Sequence, residues 1–167
     1  MDVSASWEGA SERFMANQSH IGAASVSARG NDRLPLSSGI LDIGWSSGTP
    51  IVRALVDSGF SIWGIDASPS LLSAYRRALP NMPAVFEPVL HSSFFGRTFV
   101  GIVSIGLIFL LDGKGQRMLL ARVADILEPG GRFLFTASRQ ARRWNDTLTG
   151  RYRCGWETTD MLPIWPA

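Results

Sequence analysis

The sequence predicts an α/β domain whose sheet is mostly parallel and doubly wound. Between residues 39 and 137, short apolar runs that end in an acid or a glycine alternate with amphipathic segments. Such alternation is typical of βαβ units, in which each helix connects two parallel strands. The 167 residues suit a single domain, and 46% of them are hydrophobic, so a sizeable core can be buried.

Three regions follow one another along the chain. Residues 1–35 are rich in Ser, Ala, Gly and Asn and are expected to form a weakly structured lead-in with short helices. Residues 36–140 carry the alternating pattern and are predicted to form the α/β domain. Residues 141–167 are predicted to be a C-terminal extension, because no convincing strand pair is visible there.

Five strands are predicted from apolar runs that turn residues bound. The third contains Pro88, which has no amide hydrogen and therefore suits the edge of a sheet. The fourth is apolar throughout, as expected of a strand that is covered on both faces. A turn at 129–131 is predicted to precede the fifth strand. The predicted strands span 39–44, 60–66, 84–89, a run within 98–109, and 132–137.

Three helices are predicted to connect these strands. Thr49 and Ser68 each precede a proline, which favours an N-cap followed by the first helical residue. Gly59 is expected to end the first helix and Pro80 the second. The third helix is predicted over 116–127, with inward-facing Met118, Leu119, Val123, Ile126 and Leu127.

The segment 42–48, DIGWSSG, joins the first strand to the first helix. Its glycines let the backbone turn tightly, and the N-terminus of the helix offers unpaired N–H groups to an anionic group. Asp66 ends the neighbouring strand, where a carboxylate can accept hydrogen bonds from both hydroxyls of a ribose. These residues indicate a nucleoside-containing ligand. The alternative is that Gly44 and Gly48 are turn glycines and that Asp66 caps a helix.

The spacing of the glycines distinguishes between nucleoside ligands. A dinucleotide fingerprint requires the pattern G-x-G-x-x-G. Here Ser46 occupies the place of the second glycine, and Gly48 follows Gly44 by four residues. A nicotinamide-dependent oxidoreductase is therefore disfavoured.

Three motifs resemble those of class I S-adenosylmethionine-dependent methyltransferases, and together they cover residues 39–140. The segment 42–48 is similar to the family's Asp-x-Gly-x-Gly-x-Gly motif, and 64–69, GIDASP, is similar to its Gly-x-Asp-x-Ser segment. The segment 127–133, LEPGGRF, resembles the family's Leu-x-Pro-Gly-Gly turn. The resemblance implies a Rossmann-like fold with strand order 3-2-1-4-5 and a cofactor crevice between strands one and four.

The resemblance also implies which residues bind S-adenosylmethionine. Asp42 and Gly44 would lie near its methionine part, and Asp66 would hold the ribose. His91 would flank the adenine, and Gly106 would line the face on which the methyl group is transferred. The predicted cofactor-binding residues are Asp42, Gly44, Trp45, Ser46, Gly48, Asp66, Ala67, His91, Gly106 and Leu107.

The implied reaction is methyl transfer from S-adenosylmethionine to a nucleophile on a small molecule, with S-adenosylhomocysteine as the product. An oxygen, nitrogen or sulfur atom would attack the methyl group in line with the positively charged sulfur. The enzyme then contributes mainly proximity and alignment. The sequence therefore need not show a catalytic base, and no catalytic residue is assigned.

A non-catalytic relative that acts as a binding or interaction module is the alternative. Trp45 and Ser46 stand where the family has a small residue and a second glycine, and Val100 stands where an Asp is frequent. His91 and Ser92 replace an acidic residue that is often found near the adenine amine. These departures would weaken cofactor binding, for example through the Cβ of Ser46.

The composition of the sequence disfavours nucleic acid, metal ions and membranes as partners. Sixteen basic residues against 14 acidic ones give a net charge of +2, too small to indicate nucleic acid. Cys154 is the single cysteine, and His20 and His91 come without an acidic cluster, so no metal site is predicted. The longest apolar stretch, 100–111, is shorter than the ~20 residues that span a bilayer, and no secretory signal is visible. We therefore expect a cytoplasmic protein without membrane contact.

The C-terminal end of the predicted sheet raises a question of oligomeric state. The family's sheet ends with an antiparallel strand pair beside strand five, and the sequence shows that pair as missing or reduced. Strand five would then be an exposed apolar edge, which favours self-association. Either a second chain covers this edge, as in a homodimer, or the fold is marginally stable.

Overall fold

In the computed structural model, the central sheet has five strands in the order β3-β2-β1-β4-β5, which confirms the predicted fold class. Every neighbouring pair of strands is parallel. The third strand lies at an edge, as predicted. It ends at Phe86 rather than at the predicted residue 89, and Pro88 lies outside it, before a 3-10 turn. The strands are β1 (Gly39–Ile43), β2 (Ser61–Asp66), β3 (Ala84–Phe86), β4 (Phe99–Ser104) and β5 (Leu127–Phe135).

Two of the described α-helices begin where short polar side chains cap them. Ser68 is the N-cap of the second helix, as predicted, and its hydroxyl accepts a hydrogen bond from the Leu71 amide at 3.2 Å. The third helix begins at 113 rather than at the predicted 116, because the Asp112 carboxylate accepts from the Gly115 amide at 2.7 Å. The helices are α1 (Ile51–Asp57), α2 (Pro69–Ala78) and α3 (Gly113–Ile126).

The core lies on both faces of the sheet, because alternate residues of a strand point in opposite directions. On one face, Ile40 of β1 packs with Leu55 of α1 and Tyr75 of α2. On the other face, Leu41 of β1 packs with Leu119 of α3. Strands covered on both sides are mainly apolar, and β1 and β4 have only Asp42 and Ser104 as polar residues, both near their carboxyl ends.

The inward face of α3 is turned slightly from its predicted orientation. Leu119 and Val123 are fully buried, as predicted, and Leu120 is buried with them. Met118 and Ile126, which were also predicted to face inward, are half-buried. The apolar residues of this helix form a broad stripe, so periodicity identified the helix but not the centre of its buried face.

The predicted Pro-Gly-Gly turn lies inside β5 rather than before it. Leu127 pairs with Phe99, and the next paired residue of β5, Arg132, lies opposite Gly101. The residues between the two paired positions bulge out of the ladder. The strand therefore begins at Leu127, five residues before the predicted start, because backbone pairing exists on both sides of the bulge.

A short antiparallel strand pair lies in the C-terminal region, where the sequence shows no convincing pair and the terminal pair was predicted to be missing or reduced. β6 (Arg142–Asn145) pairs with β7 (Tyr152–Gly155). The pair forms its own two-stranded sheet and does not extend the central one. Each strand has four residues without apolar alternation, so periodicity could not reveal a pairing that rests on backbone hydrogen bonds.

Several predictions concern parts of the chain that the structure does not describe. The lead-in over 1–35, apart from Leu34, and the cap at Thr49 lie outside the described residues, and the domain boundaries stay predictions. No helix in the described part of the chain is long and apolar enough to cross a membrane. The structure describes Leu34, residues 38–44 and 51–137, the backbone of 142–145 and 152–155, and the side chain of Asn145.

Candidate functional site

The carboxyl ends of β1 and β4 lie side by side in the middle of the sheet, at the position where the sequence predicts the cofactor crevice. The helices that follow β1 and β2 cover one face of the sheet, whereas α3, which follows β4, covers the other. The chain therefore leaves these two adjacent strands toward opposite faces. Open α/β sheets bind ligands at this kind of switch point, which is where the sequence analysis placed the cofactor.

Gly44 lies at the centre of this crevice, directly after β1. Its amide donates to the carbonyl of Ile65 at 2.8 Å, and its φ of +68° is one that favours glycine. A Cβ at this position would lie 3.0 Å from the Cβ of Leu107. The end of β1 and the turn after β4 therefore meet where a side chain does not fit, and the structure brings the predicted residues Gly44 and Leu107 together.

Asp66 ends β2, next to β1, and is 6% exposed. Its carboxylate accepts a hydrogen bond from the Ser68 amide at 2.7 Å, so the chain turns into α2 around this carboxylate. The Asp66 carbonyl accepts from the Glu87 amide at 2.9 Å, which ties the end of β3 to the site. Ala67, also a predicted site residue, is half-buried beside it. The local turn and a ligand can share Asp66, because a carboxylate has about four acceptor positions.

Asp42 is the second buried carboxyl group at this end of the sheet. It lies opposite Gly64 of β2, and Asp66 lies two residues further on, so both carboxyl groups are on the face that α1 and α2 cover. Burial first, and then the charge of Asp66, raise the pKa of Asp42 from 3.8 to about 8. Burial and the charge of Asp42 raise the pKa of Tyr75 on α2. Asp42 is therefore mostly protonated at neutral pH.

The turn after β4 borders the crevice on the other side. Gly106 has a φ of +83°, and its amide donates to the Thr136 hydroxyl at 2.7 Å. The Ser104 hydroxyl donates to the Ile43 carbonyl at 3.1 Å, which ties β4 to β1. Gly106 and Leu107 were predicted from the sequence, but Thr136 was not. Its hydroxyl accepts from an amide 30 residues away, and no local sequence pattern indicates such a contact.

An acidic side chain, Glu87, organises the loop after β3. Its carboxylate accepts hydrogen bonds from the Ser92 hydroxyl at 2.6 Å and from the Ser93 amide at 3.0 Å. His91, which the resemblance placed beside the adenine, is exposed at the end of a 3-10 turn in this loop. His91 and Ser92 were singled out from the sequence, whereas Glu87 was not. Its position one residue after an apolar run was a signal that could have found it.

Two consecutive phenylalanines close this loop with left-handed backbone. Phe94 has a φ of 50° and Phe95 one of 58°, a conformation that bulky residues rarely adopt. Arg122 of α3 donates to the Ser92 carbonyl, and its guanidinium lies 4.9 Å from the centre of the Phe94 ring. Such strain persists where surrounding contacts hold the backbone, so Glu87 and Arg122 fix this loop from two sides.

Part of the predicted site lies in the segment between β1 and α1. Trp45, Ser46 and Gly48 are outside the described residues, so their contribution stays a prediction. Within the described ranges, no group of three His, Cys, Asp or Glu side chains is arranged to hold a metal ion. The predicted residues that the structure places at the carboxyl ends of the strands and in the loops that follow are Asp42, Gly44, Asp66, Ala67, His91, Gly106 and Leu107.

The segment that builds the crevice matches a known family. A family model described as a methyltransferase domain matches residues 40–131, more than half of the chain. The chain belongs to the class I S-adenosylmethionine-dependent methyltransferases. S-Adenosylmethionine is the cofactor of this family, as the resemblance implied.

A curated relative matches more than half of the chain. Aklanonic acid methyltransferase DauC of Streptomyces sp. (strain C5) is 35% identical over an alignment of 106 residues, and the alignment covers 59% of this chain and 47% of the relative. The chain therefore spans about half the length of this relative.

Solved methyltransferase structures share the fold. The glycopeptide N-methyltransferase MtfA, complexed with S-adenosyl-L-homocysteine, has a TM-score of 0.68 at 18% identity, covering 85% of this chain and 76% of that chain. A TehB-like SAM-dependent methyltransferase from Corynebacterium glutamicum has a TM-score of 0.64 at 22% identity, covering 92% of this chain and 79% of that chain. At these identities the comparison shows the fold alone.

Proposed function

We propose that this chain binds S-adenosylmethionine in the crevice and supports transfer of its methyl group to a nucleophile on a small molecule. The observation that carries the proposal is the pair of buried carboxyl groups, Asp42 and Asp66, beside Gly44. Two carboxyl groups buried close together destabilise the fold, and such costly arrangements are concentrated at functional sites. S-Adenosylmethionine presents ribose hydroxyls, an ammonium group and a sulfonium group, all of which carboxylates attract.

The residues of the crevice fit such a ligand in shape as well as in charge. Close approach to the end of β1 requires a backbone without a side chain, and a Cβ on Gly44 would already contact Leu107. The carboxylate of Asp66 is held by the Ser68 amide, so it is oriented before any ligand binds. A fixed acceptor loses little freedom when it binds a hydroxyl pair, which favours affinity.

Each described residue then has a defined task in the proposed reaction. When bound, S-adenosylmethionine supplies a methyl group on a positively charged sulfur atom. Asp66 accepts hydrogen bonds from the ribose hydroxyls. Asp42 ionises when a positive charge comes close, because that charge lowers the pKa that burial had raised. Gly106 and Leu107 border the opposite side, and catalysis consists of alignment, so no base is assigned.

The small-molecule acceptor is supported by what related proteins act on. DauC is named for aklanonic acid, MtfA for a glycopeptide nitrogen, and another solved structure of the same fold, KedS8, for a sugar nitrogen. These relatives are methyltransferases, which does not favour the alternative of a non-catalytic interaction module. We infer an acceptor of this general class and assign no particular compound.

Calorimetric titration of the protein with S-adenosylhomocysteine tests the proposal. We expect micromolar affinity in the wild type. Asp66→Asn should weaken binding about 100-fold, because it removes a charge-assisted acceptor from two hydroxyls. The matched control is Asp57→Asn, which alters an exposed carboxylate that pairs with Arg53 at the surface of α1. That variant should bind as the wild type does.

The outcomes separate the two functions under consideration. Absence of binding to a wild-type protein with a cooperative melting transition would contradict the proposal and restore the interaction module. Equal losses in Asp66→Asn and Asp57→Asn would show that the effect is not local to the crevice. The homodimer through β5 and the cytoplasmic location stay predictions, and light scattering of the purified protein tests the first of them.

A further inference from the structure

The turn between β4 and α3 is held by a buried amide side chain. Gln116 of α3 is 1% exposed, and its Nε2 donates to the carbonyls of Ile108 and Leu111, at 3.0 Å each. These carbonyls belong to the middle and to the last residue of the 106–111 turn. The Ile108 carbonyl also accepts from the Leu111 amide at 3.3 Å, so the two Gln116 bonds are the contacts that tie the turn to α3. Removing the Gln116 donor would lose both of these contacts, so Gln116 fixes the path of the turn.

A hydroxyl group holds the beginning of the same turn. The Thr136 Oγ accepts from the Gly106 amide at 2.7 Å, and the Thr136 amide donates to the Ser104 carbonyl at 3.2 Å. Gly106 has a left-handed backbone that would otherwise allow several paths after β4. Gln116 and Thr136 therefore clamp the turn from α3 and from the end of β5.

The clamped turn lies across the crevice from the ribose-binding position. Leu107 reaches within 3.0–3.2 Å of the place where a Cβ of Gly44 would lie, so the turn contacts the end of β1. Asp66 is on β2, two strands from β4, which at the usual spacing is about 10 Å away. A ligand whose ribose is at Asp66 meets the turn only with the part that extends across β1.

We propose that Gln116 and Thr136 are positioning residues, which fix the 106–111 turn as the wall against which the amino-acid end of the cofactor binds. The inference rests on the proposed function, which places the ribose at Asp66. If the hydrogen bonds of Gln116 or Thr136 were lost, Leu107 would move relative to Gly44. Small displacements of a supporting residue weaken ligand binding, so the amino-acid end of the cofactor would bind less tightly. The adenosine end, two strands away, would keep its contacts.

Two ligands that differ only at the amino-acid end test this proposal by calorimetry. S-Adenosylhomocysteine carries that end, and 5′-methylthioadenosine lacks it. Thr136→Val, which keeps the shape and removes the acceptor, should weaken S-adenosylhomocysteine about tenfold and change 5′-methylthioadenosine by less than about twofold. Gln116→Met should have the same selective effect. Thr136→Ser, which retains the hydroxyl, should restore wild-type affinity for both ligands.

Thr98→Val is the matched control, because the Thr98 hydroxyl donates to Glu128 at the opposite end of β4 and β5. It should leave both affinities unchanged. Unchanged affinities in Thr136→Val, or equal losses for both ligands, would overturn the inference, and melting curves confirm that each variant is folded. Failure of the wild type to bind either ligand would instead contradict the proposed function, so the two failures are distinguishable.

Discussion

The two sides of the crevice use their polar groups in opposite ways. On the β2 side, Asp42 and Asp66 are buried carboxyl groups on one face of the sheet, and burial raises the pKa of Asp42 to about 8. On the β4 side, the side chains of Ser104, Gln116 and Thr136 are hydrogen-bonded to backbone groups of the strands and the turn. The β2 side therefore brings ionisable groups together, whereas the β4 side uses its polar side chains to fix the backbone.

This difference shows how one sheet can both recognise and position a ligand. Groups that are to bind a polar, positively charged ligand must keep part of their hydrogen-bonding capacity for it, which lowers the stability of the ligand-free protein. The polar side chains on the β4 side increase the stability of the protein instead, because each of their hydrogen bonds is made within the fold. Substitutions on the two sides should therefore differ in their effects on stability.

The largest expected effect concerns the Asp42 carboxyl group. Its pKa of about 8 in the folded protein lies above the ordinary 3.8, so the folded state binds more protons than the unfolded state between these values. The free energy of unfolding should fall as pH rises through this window, by up to about 1.4 kcal/mol per pH unit. Asp42→Asn, which cannot ionise, should remove this decline in urea unfolding measured between about pH 5 and pH 8. An undiminished decline would show that charge on the β2 side does not limit stability.

A smaller effect is expected at the point where the two sides meet. Gly44→Ala combines a positive φ with a Cβ placed 3.0 Å from Leu107, and it should destabilise the fold by about 3 kcal/mol. Gly59→Ala is the control, because φ is +89° there and no atom lies within 4 Å of the added Cβ. It should cost about 1–2 kcal/mol, the backbone contribution alone. Equal losses in urea unfolding would mean that Leu107 does not press against β1.

The smallest expected effect concerns Ser68, which both caps α2 and donates a hydrogen bond to Asp66. Ser68→Ala removes the hydroxyl that caps α2 but keeps the amide that donates to Asp66. We expect a loss of about 1 kcal/mol in the free energy of unfolding. The affinity for S-adenosylhomocysteine should change by less than about twofold, because the orientation of Asp66 is retained. A large loss of affinity would show that cap and site cannot be separated on the β2 side.

Local signals in the sequence determined the architecture and one side of the crevice. Alternating apolar runs identified the five strands, and the cap at Ser68 located the start of α2. Gly44 and Asp66 were identified because a tight turn and a carboxylate at the end of a strand are properties of single residues and their neighbours. The order of the strands came from the resemblance of three motifs, and the sheet confirms it.

Only the tertiary structure decided the contacts that join distant parts of the chain. The bond between Gly106 and Thr136 spans 30 residues, and the two carboxyl groups influence each other because β1 and β2 pair in one register. The β6–β7 pair likewise follows from backbone hydrogen bonds between short strands without an apolar period. Periodicity reports which way a side chain faces, whereas burial, pKa and hydrogen-bond partners depend on which residues packing places beside it.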